Sequence, residues 1–349
     1  MTDVAESITA RVRLAYETGE PLAIEGGGSK RFFGRRAEGK PLSVSAHRGV
    51  IGYEPRELVI TARAGTPLSE IEEILEREGQ MLPFEPPHFG NATLGGSVAC
   101  GLSGPRRPYT GAVRDFLLGT EIVNGRGQRL CFGGEVIKNV AGYDLSRTMA
   151  GALGTLGVLL SVSLKVLPRP EQEITLARSC SPEEGLECIH RWSASPLPIS
   201  AACHTEGQLR VRLSGSPEAV HAARDAIGGD VGESTSFWSD LREQRLPFFA
   251  GDAPLWRLSV PADAPLHPLT DGCLIDWGGA QRWVRSDAPA EEIHAAAVAM
   301  GGHAQRFRGG DREESFQPPA AAVMRLHEKL KAAFDPVGIL NPGRLYATL

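Results

Sequence analysis

Apolar residues between Val4 and Tyr16 recur at helical spacing among charged ones, and the pattern predicts a first amphipathic helix. The stretch PLAIEGGGSK then reads as a short buried strand, Leu22 to Ile24, running into a glycine turn. A strand is predicted around Leu58 to Ala62. After it comes a helix with Thr66 as N-cap and Pro67 in the first turn. Leu68, Ile71, Ile74 and Leu75 form its apolar face, and Gly79 marks its end. Further strands fit Leu117 to Val123, Gln128 to Phe132 and the alternating run GVLLSVSLKVLP.

From about Glu171 the texture changes. Glycine clusters thin out and prolines punctuate the chain. SPEEGLECIHRWSAS, GSPEAVHAARDAIG and APAEEIHAAAVAMGG read as short helices, with strand candidates QLRVRLSG and LWRLSV among them. That is the texture of a small α+β domain over residues 172–305, following a first domain over 1–171. The tail PPAAAVMRLHEKLKAAFDP predicts one more helix and GILNPGRLY a last extended piece, so that 306–349 returns to the first domain. No internal repeat and no low-complexity segment is visible.

The bulk properties narrow the classes. With 349 residues there is room for two domains and a sizeable core. The net charge of −5 argues against a nucleic-acid footprint. No apolar run is long enough to cross a bilayer, and the mixed-charge N-terminus has no signal-peptide core. A cytoplasmic protein with reduced cysteines is therefore expected. Its six cysteines are scattered with no C-x-x-C pair, so neither a zinc ribbon nor a self-contained iron–sulfur cluster is expected, and no metal site.

Glycines carry the candidate chemistry. In Glu25 to Lys30, EGGGSK, consecutive glycines after a strand allow successive N–H groups to turn toward one anion, and Ser29 and Lys30 add a hydroxyl and a positive charge. A tight surface turn is the plain alternative. A second glycine-dense region runs from Gly90 to Arg169. Familiar nucleotide motifs fail: GRRAEGKP has Walker A spacing but ends on Pro41 where a hydroxyl is needed, and G-x-G-x-x-G is absent. The nucleophile elbow G-x-S-x-G is missing too.

The nest, then TLGGSVACGLSGPRRPYTGAVRDFLLG, then KNVAGYDLSR, then GALGTLGVLLSVSLKVLP, together resemble the FAD-binding domain of the vanillyl-alcohol oxidase and p-cresol methylhydroxylase superfamily (PCMH-type). More narrowly, FEPPHFGNATLGGSVACGLSGPRRPYTGAVRDF and GGEVIKNVAGYDLSR resemble the FAD-binding E subunits of bacterial glycolate oxidases. The similarity spans about Pro21 to Pro170, plus the terminal FDPVGILNPGR. It implies an α+β fold in which a two-subdomain PCMH-type domain holds FAD and a small cap domain accompanies it. Carried over by motif, Gly26, Gly27, Gly28, Ser29 and Lys30 would wrap the diphosphate. Thr93, Leu94, Gly95, Gly96 and Ser97 would form a second wall, continued toward the ring by Ser103, Tyr109, Thr110, Gly111 and Asp115. Lys138, Asn139, Gly142, Tyr143 and Asp144 would lie along the flavin, and Gly154, Gly157 and Val158 near the adenine end.

Beside the resemblance, other readings stand. Asp144 is equally placed to cap the helix beginning SRTMAG. Arg106, Arg107 and Arg114 suit an anionic flavin or a carboxylate, but also a surface or a partner. His88 is a candidate base or flavin attachment point and also a natural packed turn residue, while Cys100 and Cys131 read as small core residues. Oxidising a 2-hydroxy acid needs a cationic clamp and a base or metal. No such set is visible: His190, His204, His221, His267, His294 and His303 are dispersed. The resemblance implies an FAD-dependent oxidoreductase of CH-OH groups, passing hydride from glycolate C2 to flavin N5 and yielding glyoxylate. It implies a complex with a second FAD-containing subunit and an iron–sulfur subunit, and contact with the inner face of the membrane only through that complex. A stand-alone FAD oxidase of a small hydroxy acid, alcohol or sugar lactone is one alternative, and a structural subunit with a relic FAD fold is another.

Overall fold

Ala5, Ile8, Val12 and Ala15 are buried at three- and four-residue intervals, and residues Ala5–Thr18 accordingly form helix α1. It stops where Gly19 takes φ +69° and its amide reaches back to the Ala15 carbonyl. The structure, a computed structural model, describes residues 3–134, 144–232 and 236–349. The chain divides into two compact units: residues 1–103, 112–168 and 318–349 in one, 104–111 and 169–317 in the other.

In the first unit, β1 (Leu22–Glu25) pairs in parallel with β2 (Lys40–Ser43). The antiparallel hairpin β3 (Val50–Glu54) and β4 (Val59–Arg63) leads into α2 (Leu68–Arg77). Leu68, Ile71 and Leu75 bury its apolar face. Thr66 is not its N-cap. That side chain is wholly buried one residue too early, where its hydroxyl accepts from the Gly49 amide at 2.9 Å and Pro67 takes the cap position. After α3 (Leu94–Cys100) come β5 (Leu117–Val123), β6 (Arg129–Gly133) and β7 (Val158–Lys165). The five-stranded sheet runs β3-β4-β7-β5-β6, antiparallel throughout. One core joins α1, β1 and β2 to Val123, Val158 and Leu160; a larger one joins α2 and α3 to Ile60, Ala62, Ile122 and Val162.

His47 ties the start of α1 to this unit. Its buried Nδ1 accepts from the Val4 amide at 3.2 Å, 3.6 Å from the Asp3 carboxylate. Burial holds its pKa below the ordinary histidine value of 6.5, against the opposing pull of Asp3. The unfolded chain therefore takes up this proton at higher pH than the folded one, and the stability contributed is complete above pH 6.5 and lost below it. Between pH 7 and 5 the unfolding free energy should fall more steeply for the wild-type chain than for His47→Gln, by at most about 1.4 kcal/mol per pH unit, and the thermal midpoint with it. Parallel melting curves would remove this role from His47.

In the second unit β8 (Gln172–Ser179), α4 (Pro182–Ser193), β9 (Ile199–Thr205), β10 (Gln208–Gly215), α5 (Pro217–Ile227) and β11 (Asp230–Val231) form one half. After the short helix α6 (Phe237–Arg242), β12 (Leu255–Ser259), β13 (Leu274–Asp276), β14 (Gln281–Arg285), α7 (Ala290–Ala299) and β15 (His303–Arg308) form the other. The strand order β11-β8-β10-β9-β13-β14-β12-β15 is two βαββαβ halves set edge to edge, 4-1-3-2 against 2-3-1-4. They meet where His204 pairs with Ile275. This internal repeat of topology is invisible in the sequence, because the second half replaces the first crossover helix with a single 3-10 turn, Pro268–Thr270. The unit also exceeds 172–305: it runs to residue 317 and takes in 104–111. The chain then returns to the first unit with α8 (Ala321–Phe334). GILNPGRLY follows as turns making one parallel bridge, Leu340 to Leu22, rather than as a strand. Among the described residues no helix is long and apolar enough to cross a membrane.

Candidate functional site

The glycine nest and the loop before α3 are in contact. A Cβ on Gly26 would stand 2.3 Å from Thr93 Oγ1, and one on Gly27 would stand 1.7 Å from the Asn91 carbonyl oxygen. Only glycine permits that approach, and Gly28 turns the chain with φ +73°. Among the described residues the amides of Gly26, Gly27, Gly28 and Ser29 donate to no acceptor. Gly26, Gly28 and Ser29 are half-exposed and Gly27 is exposed, so these four successive N–H groups are open to an anion.

The facing loop works differently from the sequence expectation. Leu94 N donates to Thr66 O at 2.9 Å, Gly95 N to Ala64 O at 2.8 Å, Gly96 N to Thr93 Oγ1 at 3.3 Å and Ser97 N to Thr93 O at 2.9 Å. These amides fasten α3 to the sheet, and Gly95 lacks a side chain because a Cβ would meet Ala64 at 2.6 Å. What remains free is a hydroxyl. The Oγ of Ser97, and that of Ser103 beyond the helix, are buried without a hydrogen-bond partner. Buried orphan hydroxyls are costly by about 1–3 kcal/mol each unless something supplies a partner. An acceptor-free cradle and unpartnered buried hydroxyls fit a dinucleotide with a diphosphate and a polyhydroxylated chain.

Lys30 is buried and donates to the His88 carbonyl at 3.3 Å and to Ser29 Oγ at 3.4 Å, its Nζ 5.8 Å from the Phe89 ring centre. His88 itself pairs with Glu72 at 3.0 Å, as a packed turn residue does. A second cation beside the nest went unnoticed in the sequence. Arg344 donates to the Lys30 and Arg35 carbonyls, and burial lowers its pKa. The GR pair in the C-terminal motif was its only signal. Gly154 (φ +75°) packs on the Asn341 amide, Gly157 on Ile122, and Val158 is core. A cavity of about 600 Å³ opens beside them, lined in part by Arg114, Arg147, Leu156 and His327.

Other expected residues have local duties. Asp115 is exposed and caps the Ala112 amide at 2.8 Å. Asp144 Oδ1 accepts from Ser146 Oγ at 2.7 Å and from the Arg147 amide at 3.4 Å, and its Oδ2 pairs with Arg147 at 2.8 Å, while Leu145 holds the cap position. Lys138, Asn139, Gly142 and Tyr143 lie outside the described residues. Tyr109, Thr110 and Gly111 are corrected from the first domain to the second unit, into which the 104–111 segment is bound by side chains. Arg106 pairs with Glu173 at 2.6 Å, Trp277 Nε1 donates to the Gly104 carbonyl at 3.0 Å, and Arg107 lies 4.3 Å from the Trp277 ring centre. Tyr109 Oη is buried without a partner, and burial, with Asp276 adding to it, pushes its pKa up.

The residues 3–133 match the family model described as an FAD binding domain. The chain is 52% identical to the glycolate oxidase subunit GlcE of Escherichia coli K12, over 99% of each chain. It is 28% identical to the glycolate oxidase subunit GlcD of Bacillus subtilis 168, covering 98% of this chain and 87% of that one. A solved alkyldihydroxyacetonephosphate synthase shares the fold at 16% identity, with a TM-score of 0.70 over 99% of this chain and 76% of that chain.

Proposed function

Since the chain belongs to the family of FAD-binding glycolate oxidase subunits, we propose that it holds FAD in a complex that oxidises glycolate to glyoxylate and passes the electrons on through partner subunits. Its cofactor is FAD, and its chemistry is that of an FAD-dependent oxidoreductase of 2-hydroxy acids. The observation that carries the reading is the set of acceptor-free amides from Gly26 to Ser29, held against Asn91 and Thr93. Those amides bind diphosphate oxygens, with the charges of Lys30 and Arg344 close by. Ser97 and Ser103 donate their hydroxyl protons to the cofactor's polar chain. When bound, FAD supplies the hydride acceptor that no protein side chain can provide.

One partner is a second FAD-containing glycolate oxidase subunit, and another is an iron–sulfur subunit. Six dispersed free cysteines, of which Cys188, Cys203 and Cys273 are buried, support placing the cluster on another chain. Contact with the inner face of the cell membrane comes through those partners. Purifying the full chain and recording its visible spectrum tests the reading: a yellow protein that keeps stoichiometric FAD through gel filtration is expected. A colourless chain that takes up no added FAD ends it.

A further inference from the structure

In the second unit, α4, α5 and α7 pack on one face of the sheet and leave polar rows on the other. Register places Asp276, Gln281, Ser259 and His303 side by side across four strands, and Leu274, Trp283, Arg257 and Gln305 in the next row on that same face. Arg257 is the anomaly. One guanidinium nitrogen donates to Gln305 Oε1 at 2.6 Å, but its Nε is buried without a partner. Gln305 Nε2 is likewise buried and unpartnered. Among the described residues no carboxylate pairs with Arg257; burial, with the Arg107 cation adding to it, lowers its pKa to about 10. Buried charges are ordinarily paired, and a buried guanidinium with an unpartnered Nε and a second cation nearby suits an anion.

We propose that Arg257 and Gln305 form the receptor for the carboxylate of a small 2-hydroxy acid, with Arg107 as the second positive charge. Two unpartnered N–H donors side by side match the two oxygens of one carboxylate. One register step along the same face, Gln281 donates through Nε2 to Asp276 at 3.1 Å, which leaves its Oε1 buried and without a donor. That acceptor takes the proton of an adjacent hydroxyl. Donors for a carboxylate and an acceptor for a hydroxyl select a 2-hydroxy acid over a simple acid or a diol. This is the clamp that no sequence pattern revealed. The identity of the acid rests on the function proposed above; the anion receptor rests on these side chains.

Calorimetric titration of the full chain with glycolate, and with ethylene glycol as the uncharged control, tests it. Wild type should bind glycolate and not ethylene glycol. Arg257→Gln should weaken glycolate by at least about tenfold, and Arg257→Lys should restore part of the loss. The thermal midpoint of ligand-free Arg257→Gln should hold or rise, since an uncompensated buried cation has been removed, whereas an arginine serving only the fold would lower it. Gln305→Leu, which keeps the cation, should also weaken glycolate. A wild-type chain that holds FAD but binds no glycolate overturns the receptor alone, as does Arg257→Gln binding at wild-type strength. A colourless chain that still binds glycolate through Arg257 overturns the FAD reading and leaves the receptor standing.

Discussion

A single methyl group at Gly27 is expected to leave the chain colourless. The added Cβ would lie 1.7 Å from the Asn91 carbonyl oxygen and 2.9 Å from its carbon, and these are backbone atoms that no rotamer change removes. The nest must retreat from the loop before α3 by more than an ångström, and overpacking of that kind costs about 1–3 kcal/mol or more. Diphosphate held by successive amides loses several hydrogen bonds at once when they shift together. A drop in FAD affinity of at least about 100-fold follows, enough for gel filtration to strip the cofactor. Gly28→Ala is the useful contrast. Its Cβ meets only the side chains of Arg31 and Glu25 at 3.3–3.6 Å, so the penalty is the left-handed backbone, about 1–2 kcal/mol. That variant should stay yellow with weaker binding. Ser97→Ala separates fold from cofactor: its hydroxyl has no protein partner, so the apoprotein's melting point should hold or rise while FAD binds about 1 kcal/mol more weakly. Full flavin retention by Gly27→Ala would mean that the nest binds something else, or nothing.

Much of the first unit was legible because local pattern and tertiary role agree there. β5 falls on Leu117–Val123 as expected, and α2 misses its predicted start by one residue because Thr66 is drawn into a buried bond with Gly49. Glycines were harder to sort by type. Gly27 and Gly95 look alike in sequence, yet one keeps an amide free beside another loop and the other lets a helix sit on Ala64. Only the partner of each amide separates them. The second unit was less legible. On the face away from α4, α5 and α7, Arg210 and Arg212 lie 4.5 and 5.3 Å from the ring centres of Phe237 and Trp238 in α6. Arginine, which reads as solvent-exposed in a sequence, here packs against aromatic rings. The strands Gln281–Arg285 and His303–Arg308, rich in such residues, gave no alternation to recognise. Segment 104–111 was misplaced for a related reason: its glycine and proline texture is that of the first unit, while Arg106 and Arg107 bind it to the second.

The second large effect is expected at Asp335, far from the nest in sequence. Its carboxylate is wholly buried; Oδ2 accepts from Lys331 Nζ and from the Leu340 amide, both at 2.7 Å, and Oδ1 accepts from the Ile339 amide at 3.1 Å. Lys331 in turn donates to the Thr155 carbonyl at 2.9 Å and the Leu340 carbonyl at 2.7 Å. Asp335→Ala leaves a buried ammonium without its counter-charge and two amides without an acceptor, a loss of about 3–5 kcal/mol. Lys331→Met should cost less, since the carboxylate keeps both amides. The damage should also reach the cofactor. The turn fixed by Asp335 carries Asn341, whose Oδ1 accepts from the Ile24 amide at 2.7 Å, one residue before β1 ends at the nest. It also carries Arg344, which donates to the Lys30 carbonyl. Loosening that turn frees the nest from behind, so on heating Asp335→Ala should release FAD before the chain unfolds. In the wild type the two transitions should coincide. Flavin fluorescence and circular dichroism followed through one melt would decide the matter, and an Asp335→Ala chain within about 1 kcal/mol of wild type, with the transitions still together, would break the link between the C-terminal turn and the cradle.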